Sequence, residues 1–422
     1  MIVEQVKDCR IVYGEDKKIA RTGKWKFIDE ILKKQGVNYK WINTKKQPYI
    51  LEINHNDYSV QYNLYISNVT YLGNPHPKFK KRMQLSESAD KSYLKNNNNS
   101  QNITLLLGLY VFDENNPIIV SWDSSANKDA GKSKSSHVYV KDIQQAMLNG
   151  ASQRADKRKN SVYCYQPKHL LHFLDYNHYD VNHSETFLSY LNNFGLEFNE
   201  YYFIDDMIKY LKEDLKEKDF IWDGKKSITE MKENSFSKWK ETEWQGFFFE
   251  FLMEKRLFDK HDDMKQVLEI PGPKYGKTVF DSFYNIPWDF KVHSDNSSSV
   301  ITNDLEAIQL AIEEYGKVGF IIISGTSIYE SDREFSDWRN ELKGGLSKNQ
   351  LDNMKKKKPH RKLKTEFKPE KITVVVIDKD SIKKHSVVGG FHNPNGNVRR
   401  DKLSLNMNRL DEELLIEALF EE

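Results

Sequence analysis

Two hydrophobic rhythms divide this 422-residue chain. Over the first 165 residues apolar side chains alternate, or run in short blocks between turn formers, as in strands whose successive side chains face opposite ways. Residues 49–53, 60–66 and 103–112 have this composition, and Asp113-Glu114-Asn115-Asn116-Pro117 predicts a hairpin turn into 118–122. An Asn-rich stretch at 96–102 and a Ser/Lys/Gly stretch at 124–136 read as polar loops, and a helix is expected over 141–148, stopped by Gly150. Residues 166–235 read as helical and loop-rich, with a boundary in the polar segment 223–237. Beyond it the pattern predicts a helix over 241–256, paired strands through 279–284 and 286–293, and a helix over 303–315 capped by Thr302 or Asn303 and ended by Gly316. The continuous apolar runs at 318–324 and 372–378 predict buried central strands. The expected organisation is a β-rich domain over 1–165, a helical linker over 166–235, and an α/β (α+β) domain over 236–422 in which helices flank a mixed sheet. No internal repeat is visible.

Composition narrows the class. No apolar run approaches membrane-spanning length, and the N-terminus lacks a basic-then-apolar leader, so a cytosolic protein without a membrane partner is expected. Cys9 and Cys164 form neither a disulfide framework nor a zinc template. The net charge of +2 hides three local basic clusters. One is Lys78, Lys80, Lys81 and Arg82; a second is Arg154, Lys157, Arg158 and Lys159. The third, 343–371, holds eleven Lys or Arg against three acids and includes Lys355, Lys356, Lys357 and Lys358. Single clusters of this kind are usually solvated loops, but three together point to a polyanion such as nucleic acid.

The chemistry is concentrated in Ile286-Pro287-Trp288-Asp289-Phe290-Lys291-Val292-His293. In an extended strand Asp289, Lys291 and His293 share one face, while Trp288, Phe290 and Val292 fill the other. An acid-x-Lys triplet alone means little, because a chain that is 30% charged yields roughly five to ten by chance, and Asp214, Asp263 and Glu366 begin others here. Context separates Asp289 and Lys291: they lie among strand-forming aromatic and β-branched residues, and a second apolar run carrying Asp281 precedes them. Two carboxylates with a backbone carbonyl suffice for magnesium, which favours oxygen ligands and retains water. Glu243 and Glu250, seven apart on the preceding helix, share its face, and Gly246 between them is expected to permit close approach to the sheet. Glu250 is the candidate third acid, with a solvent-facing role as its alternative. His293 reads as a strand-end polar residue before it reads as a phosphate contact. His169, His172, His178 and His183 fit no zinc spacing.

Asp281, followed by Asp289-Phe290-Lys291 and preceded by a helix with Glu250, resembles the PD-(D/E)xK nuclease superfamily, in particular its type II restriction endonucleases. The resemblance covers roughly 240–330 and departs from the family pattern at Val279-Phe280, where a proline is expected before the first aspartate. It implies that Asp281 and Asp289 bind magnesium, one or two Mg2+ ions, and that Lys291 is catalytic; Glu250, from the helix, is the candidate for a further metal ligand or for a residue orienting a metal-bound water. The expected function is site-specific cleavage of double-stranded DNA by a homodimer, one active site per strand. Lys78, Lys80, Lys81, Arg82, Lys132, Lys134 and the run Lys355 to Lys358 are the candidate DNA contacts, the first six as groove contacts from the N-terminal half and the lysine run as a tracker of phosphates. A structure-selective or repair nuclease on the same core, and a DNA-binding protein without cleavage, are the competing readings.

Overall fold

The computed structural model of the protein describes residues 1–54, 58–95, 99, 101–122, 135–179, 186–217, 220–294, 297–346, 351, 355, 361–390, 400–410 and 413–420. It is mixed α+β, with several sheets and helices on their faces, and it divides into two compact units, Met1–Tyr202 and Phe203–Glu422.

In the first unit, the described residues build a nine-stranded sheet whose main path runs Ala151–Ala155, Ser161–Tyr165, Ile118–Trp122, Asn102–Tyr110, Ser59–Tyr71, Tyr49–Asn54, Tyr39–Asn43. The strands Ser59–Tyr71 and Asn102–Tyr110 run parallel, and Asn102–Tyr110 turns back antiparallel onto Ile118–Trp122. Asp113 anchors that turn, accepting hydrogen bonds from the Asn115 backbone N–H and the Asn116 side-chain amide. Both faces of the sheet are covered, so central strands such as Asn102–Tyr110 are buried almost throughout. One apolar core joins the sheet to helices Gly23–Lys34, Leu170–Tyr179 and Phe187–Asn192; the other joins it to Val140–Asn149. Gly150, at φ +92°, ends the latter helix in a conformation that disfavours a side chain. The unit runs past residue 165 because Phe173, Tyr176 and Phe187, in the stretch read as linker, pack on Tyr163 and Tyr165 of the sheet.

In the second unit, the central sheet runs Trp222–Asp223, Lys364–Asp378, Lys317–Tyr329, Ile286–Ser294, Ser282–Tyr284, with Leu414–Leu419 also paired to Lys364–Asp378. Ile286–Ser294 and Lys317–Tyr329 are parallel, joined through the helix Leu305–Tyr315, and Lys364–Asp378 lies antiparallel to Lys317–Tyr329. That helix starts at Asp304, one residue later than the expected Asn303 cap, and ends on Gly316 at φ +81°. Glycine is needed at position 319, where a Cβ would fall 2.2 Å from the Trp288 ring across the parallel pair. The helix Trp244–Phe251 packs Phe249 on Phe290 and continues as a π-helical turn, Leu252–Leu257. Turns of that kind are uncommon and concentrate near functional sites.

Candidate functional site

The apolar run over 279–284 is not one strand. Thr278–Val279 pairs with Lys274–Tyr275, Ser282–Tyr284 pairs with Ile286–Trp288, and Asp281 occupies the break between them. Asn285, at φ +61°, makes the sharp reversal, a conformation Asn tolerates better than most residues. The register pairs Ser282 with Trp288, so its continuation by one residue sets Asp281 opposite Asp289. Asp281 reaches over to the neighbouring strand and accepts a hydrogen bond from the Phe290 backbone N–H at 2.7 Å. The carboxylate of Asp289 is near enough for its negative charge to act on Asp281. Release from the ladder is thus what frees Asp281 to approach the Asp289 strand.

Alternation along Ile286–Ser294 holds as expected. Phe290 and Trp288 are buried, Asp289 is 2% exposed, and the Lys291 ammonium contacts Asp289 Oδ2 while lying 3.3 Å from the Phe290 carbonyl. His293 follows on the same face, but its ring is engaged by Ser324 Oγ at 3.2 Å and the Ser297 carbonyl at 2.7 Å, a strand-end structural role.

The electrostatics of the cluster follow from crowding charges in a poorly solvated place. Burial, reinforced by the adjacent negative charge of Asp289, pushes the Asp281 carboxyl well above the ordinary aspartate range. Burial also raises Glu250, with the Lys238 ammonium working against it. For Lys291 burial favours the neutral amine, but Asp289, Asp281 and Glu250 outweigh it and hold the ammonium above the usual lysine value. Lys291 therefore stays charged at neutral pH.

Glu250 is close enough to Lys291 and Asp289 to feel both, yet its carboxylate is paired with Lys238. Sequence reasoning missed Lys238 because it lies twelve residues before Glu250, in the turn ahead of the helix. Glu243 does not share the site: it precedes the helix and pairs with Arg361 and Lys364. Gly246 is not required by close approach either, since a Cβ there would meet nothing within 4 Å. Among the described residues, no group of three or more His, Cys, Asp or Glu side chains converges to hold a metal ion. The set present is the two-carboxylate one, and it suits a small, oxygen-seeking divalent cation. Asp289 Oδ2 is buried with the Lys291 ammonium as its ion-pair partner, so a cation bound there would share that oxygen with Lys291.

In the first unit the basic segment lies mostly on the strand Lys80–Gln84, paired with Ser135–Tyr139. Lys80 pairs with Tyr139 and Arg82 with His137, which puts these four on one face. Lys78 is exposed, and Lys80 and Arg82 are half-buried. Burial and the cations Lys80, His76, Arg82 and Arg154 depress His137 to about 4, a sign of concentrated positive potential. Lys81 points the opposite way. Its side chain is fully buried and its ammonium lies 2.9 Å from Asp16, so it is a structural cation and not a DNA contact. The same holds for Arg154, buried against Asp142 at 3.2 Å. Lys355 is exposed, whereas Lys132, Lys134, Lys356, Lys357 and Lys358 lie outside the described residues.

This basic strand pair falls in the stretch that matches a family model. Residues 60–174 match the family described as Methylase-associated X1. No curated protein and no solved structure matches the chain. The Methylase-associated X1 stretch takes in the parallel pair Ser59–Tyr71 and Asn102–Tyr110 almost entirely, the basic strand pair, and the helix Val140–Asn149. It stops far short of Asp281, Asp289 and Lys291, so it bears on the first unit alone. Among the described residues, no helix is long and apolar enough to cross a membrane.

Proposed function

We propose that the protein is a magnesium-dependent, site-specific endonuclease of double-stranded DNA, of the type II restriction kind. The observation that carries this reading is the meeting of Asp281 with Asp289 and Lys291 of the strand Ile286–Ser294, with Glu250 in their electrostatic range. The likeness of the first unit to a methylase-associated family supports it, because a restriction nuclease operates alongside the methylase that protects its site.

Asp281 and Asp289 would hold the cation, beside the Phe290 carbonyl, which lies 3.3 Å from the Lys291 ammonium. Bound magnesium supplies Lewis acidity toward the phosphate and lowers the pKa of its water. Lys291, kept protonated by three carboxylates, presents a fixed positive charge to the phosphate oxygens as negative charge builds on them. The Phe290 N–H holds Asp281 in place, and Glu250, once released from Lys238, can orient a water. Lys78, Lys80 and Arg82 contact backbone phosphates, and the lysine run 355–358 adds a sequence-independent attraction of the same sort. Two copies related by a two-fold axis would cut both strands.

A plasmid digest tests this. Wild type gives discrete fragments in magnesium and none in EDTA; Asp289→Ala and Lys291→Ala bind DNA but do not cut. A smear of random products, or full activity in both variants, overturns it. The closed pairs Lys291–Asp289 and Lys238–Glu250 favour a second reading, a non-cleaving DNA-binding protein in which these groups are structural. Tight binding in EDTA with no cleavage in magnesium would establish that reading instead.

A further inference from the structure

We propose that Lys238 is the resident counter-ion of the carboxylate cluster: its ammonium holds Glu250 in the metal-free protein, and a divalent cation must displace it to recruit that carboxylate. The inference rests on the nuclease reading and extends it to a residue outside the acid-x-Lys motif.

Lys238 sits in the turn between Phe236 and the helix Trp244–Phe251, and the turn is pinned at both ends. Phe236 is buried against the Phe251 ring at 5.6 Å. Downstream, the Arg339 guanidinium donates to the carbonyls of Lys240, at 3.0 Å, and Glu241. Neighbouring lysines use the outer side of the turn, where Lys232 and Lys240 stand over the Trp239 ring at 5.3 and 5.1 Å. Lys238 is turned the other way. It crosses the Phe247 ring at 5.5 Å and pairs with Glu250, whose side chain is 15% exposed. Asp281 and Glu254 add to the negative field around it. An ammonium here therefore offsets part of the negative charge that Glu250, Asp281 and Glu254 set around it. A divalent cation seeks the same oxygens, so the two compete for Glu250.

The experiment uses the full chain. Calcium and magnesium are titrated calorimetrically into wild type, Lys238→Met and Lys238→Arg, and melting in EDTA is followed for Lys238→Met, Glu250→Gln and the double variant. The expected result is calcium binding about tenfold tighter in Lys238→Met, because a competing positive charge is gone, with Lys238→Arg close to wild type. In EDTA, Lys238→Met melts lower than wild type, and adding Glu250→Gln to it recovers much of the loss. Lys238→Gln serves in its place where Lys238→Met does not fold. Unchanged or weaker calcium binding in the variant, or melting effects that simply add, overturns the proposal. A wild type that binds neither ion sinks the nuclease reading, while the EDTA cycle still decides whether Lys238 is the counter-ion of Glu250.

Discussion

Lys81 stands among three basic neighbours in sequence, yet the structure gives it a different occupation, and Lys81→Met separates the two roles. Its ammonium is fully buried and lies 2.9 Å from Asp16 Oδ1, while Asp16 is 17% exposed and also accepts from the Tyr71 backbone N–H at 2.7 Å and the Gln5 amide at 2.9 Å. Removing one partner of a buried pair costs about 3–5 kcal/mol, because the other charge is left uncompensated. The two remaining hydrogen bonds, and the option for Asp16 to take up a proton, place this case near the lower end, about 3 kcal/mol. For a unit of this size each kcal/mol moves the melting point by about 2–4 °C, so the first unit should melt about 6–12 °C lower. The sign of the pH effect also follows. Burial works against the Asp16 carboxylate, but Lys81 and the hydrogen bonds hold its pKa below the ordinary value. A group depressed on folding contributes stability above its unfolded pKa and loses it as pH falls through the folded one. The gap between wild type and Lys81→Met should therefore be full at pH 7 and shrink in acid. Scanning calorimetry measures the melt, and a gel-shift titration well below it measures DNA binding. Lys81→Met should bind DNA like wild type, and Asp16→Asn in the same chain should recover part of the stability. A stability-neutral Lys81→Met with weakened DNA binding would show that Lys81 is a DNA contact and not a structural cation.

Three further outcomes are expected. Lys80→Gln with Arg82→Gln should leave the first unit's melting point nearly unchanged and weaken DNA binding, with the slope of log affinity against log salt reduced by about 1 to 2, read from binding isotherms at several salt concentrations. Phe249→Ala, which removes a fully buried ring from against Phe290 and Trp222, should destabilise the second unit by about 3–5 kcal/mol in a urea melt. His137, depressed to about 4 by burial and nearby cations, binds fewer protons folded than unfolded, so stability falls as pH drops from about 6.5 towards 4. His137→Gln should flatten that slope in melts taken across the range.

Much of the fold was legible because it is local. The alternation through Ile286–Ser294, the helix ended by Gly316 and the apolar blocks at 318–324 and 372–378 each report the environment of their own residues. The parallel pairing of Ile286–Ser294 with Lys317–Tyr329 is set by packing across a helix, and no short window carries it. Asp281 shows how composition misleads: a mainly apolar run over 279–284 suggests one strand, but the run splits at the aspartate and Asn285 reverses the chain. Lys81 carried a readable signal. It is two residues from Met83, and the period of two puts both on the face whose partners, Val69 among them, are apolar. For Lys238 and Glu250, joined across a turn and half a helix, sequence spacing held no such cue.

The central claim is that Asp281, Asp289 and Lys291 cut DNA at a chosen sequence. Incubating the protein with a mixed pool of duplex DNA in magnesium, then sequencing every new end, tests it most directly. Ends at one fixed position relative to a shared short sequence on both strands are expected, and none above background with Lys291→Ala. Ends scattered without a shared sequence, or a pool left intact by folded protein that binds it, would rule out site-specific cleavage by these residues.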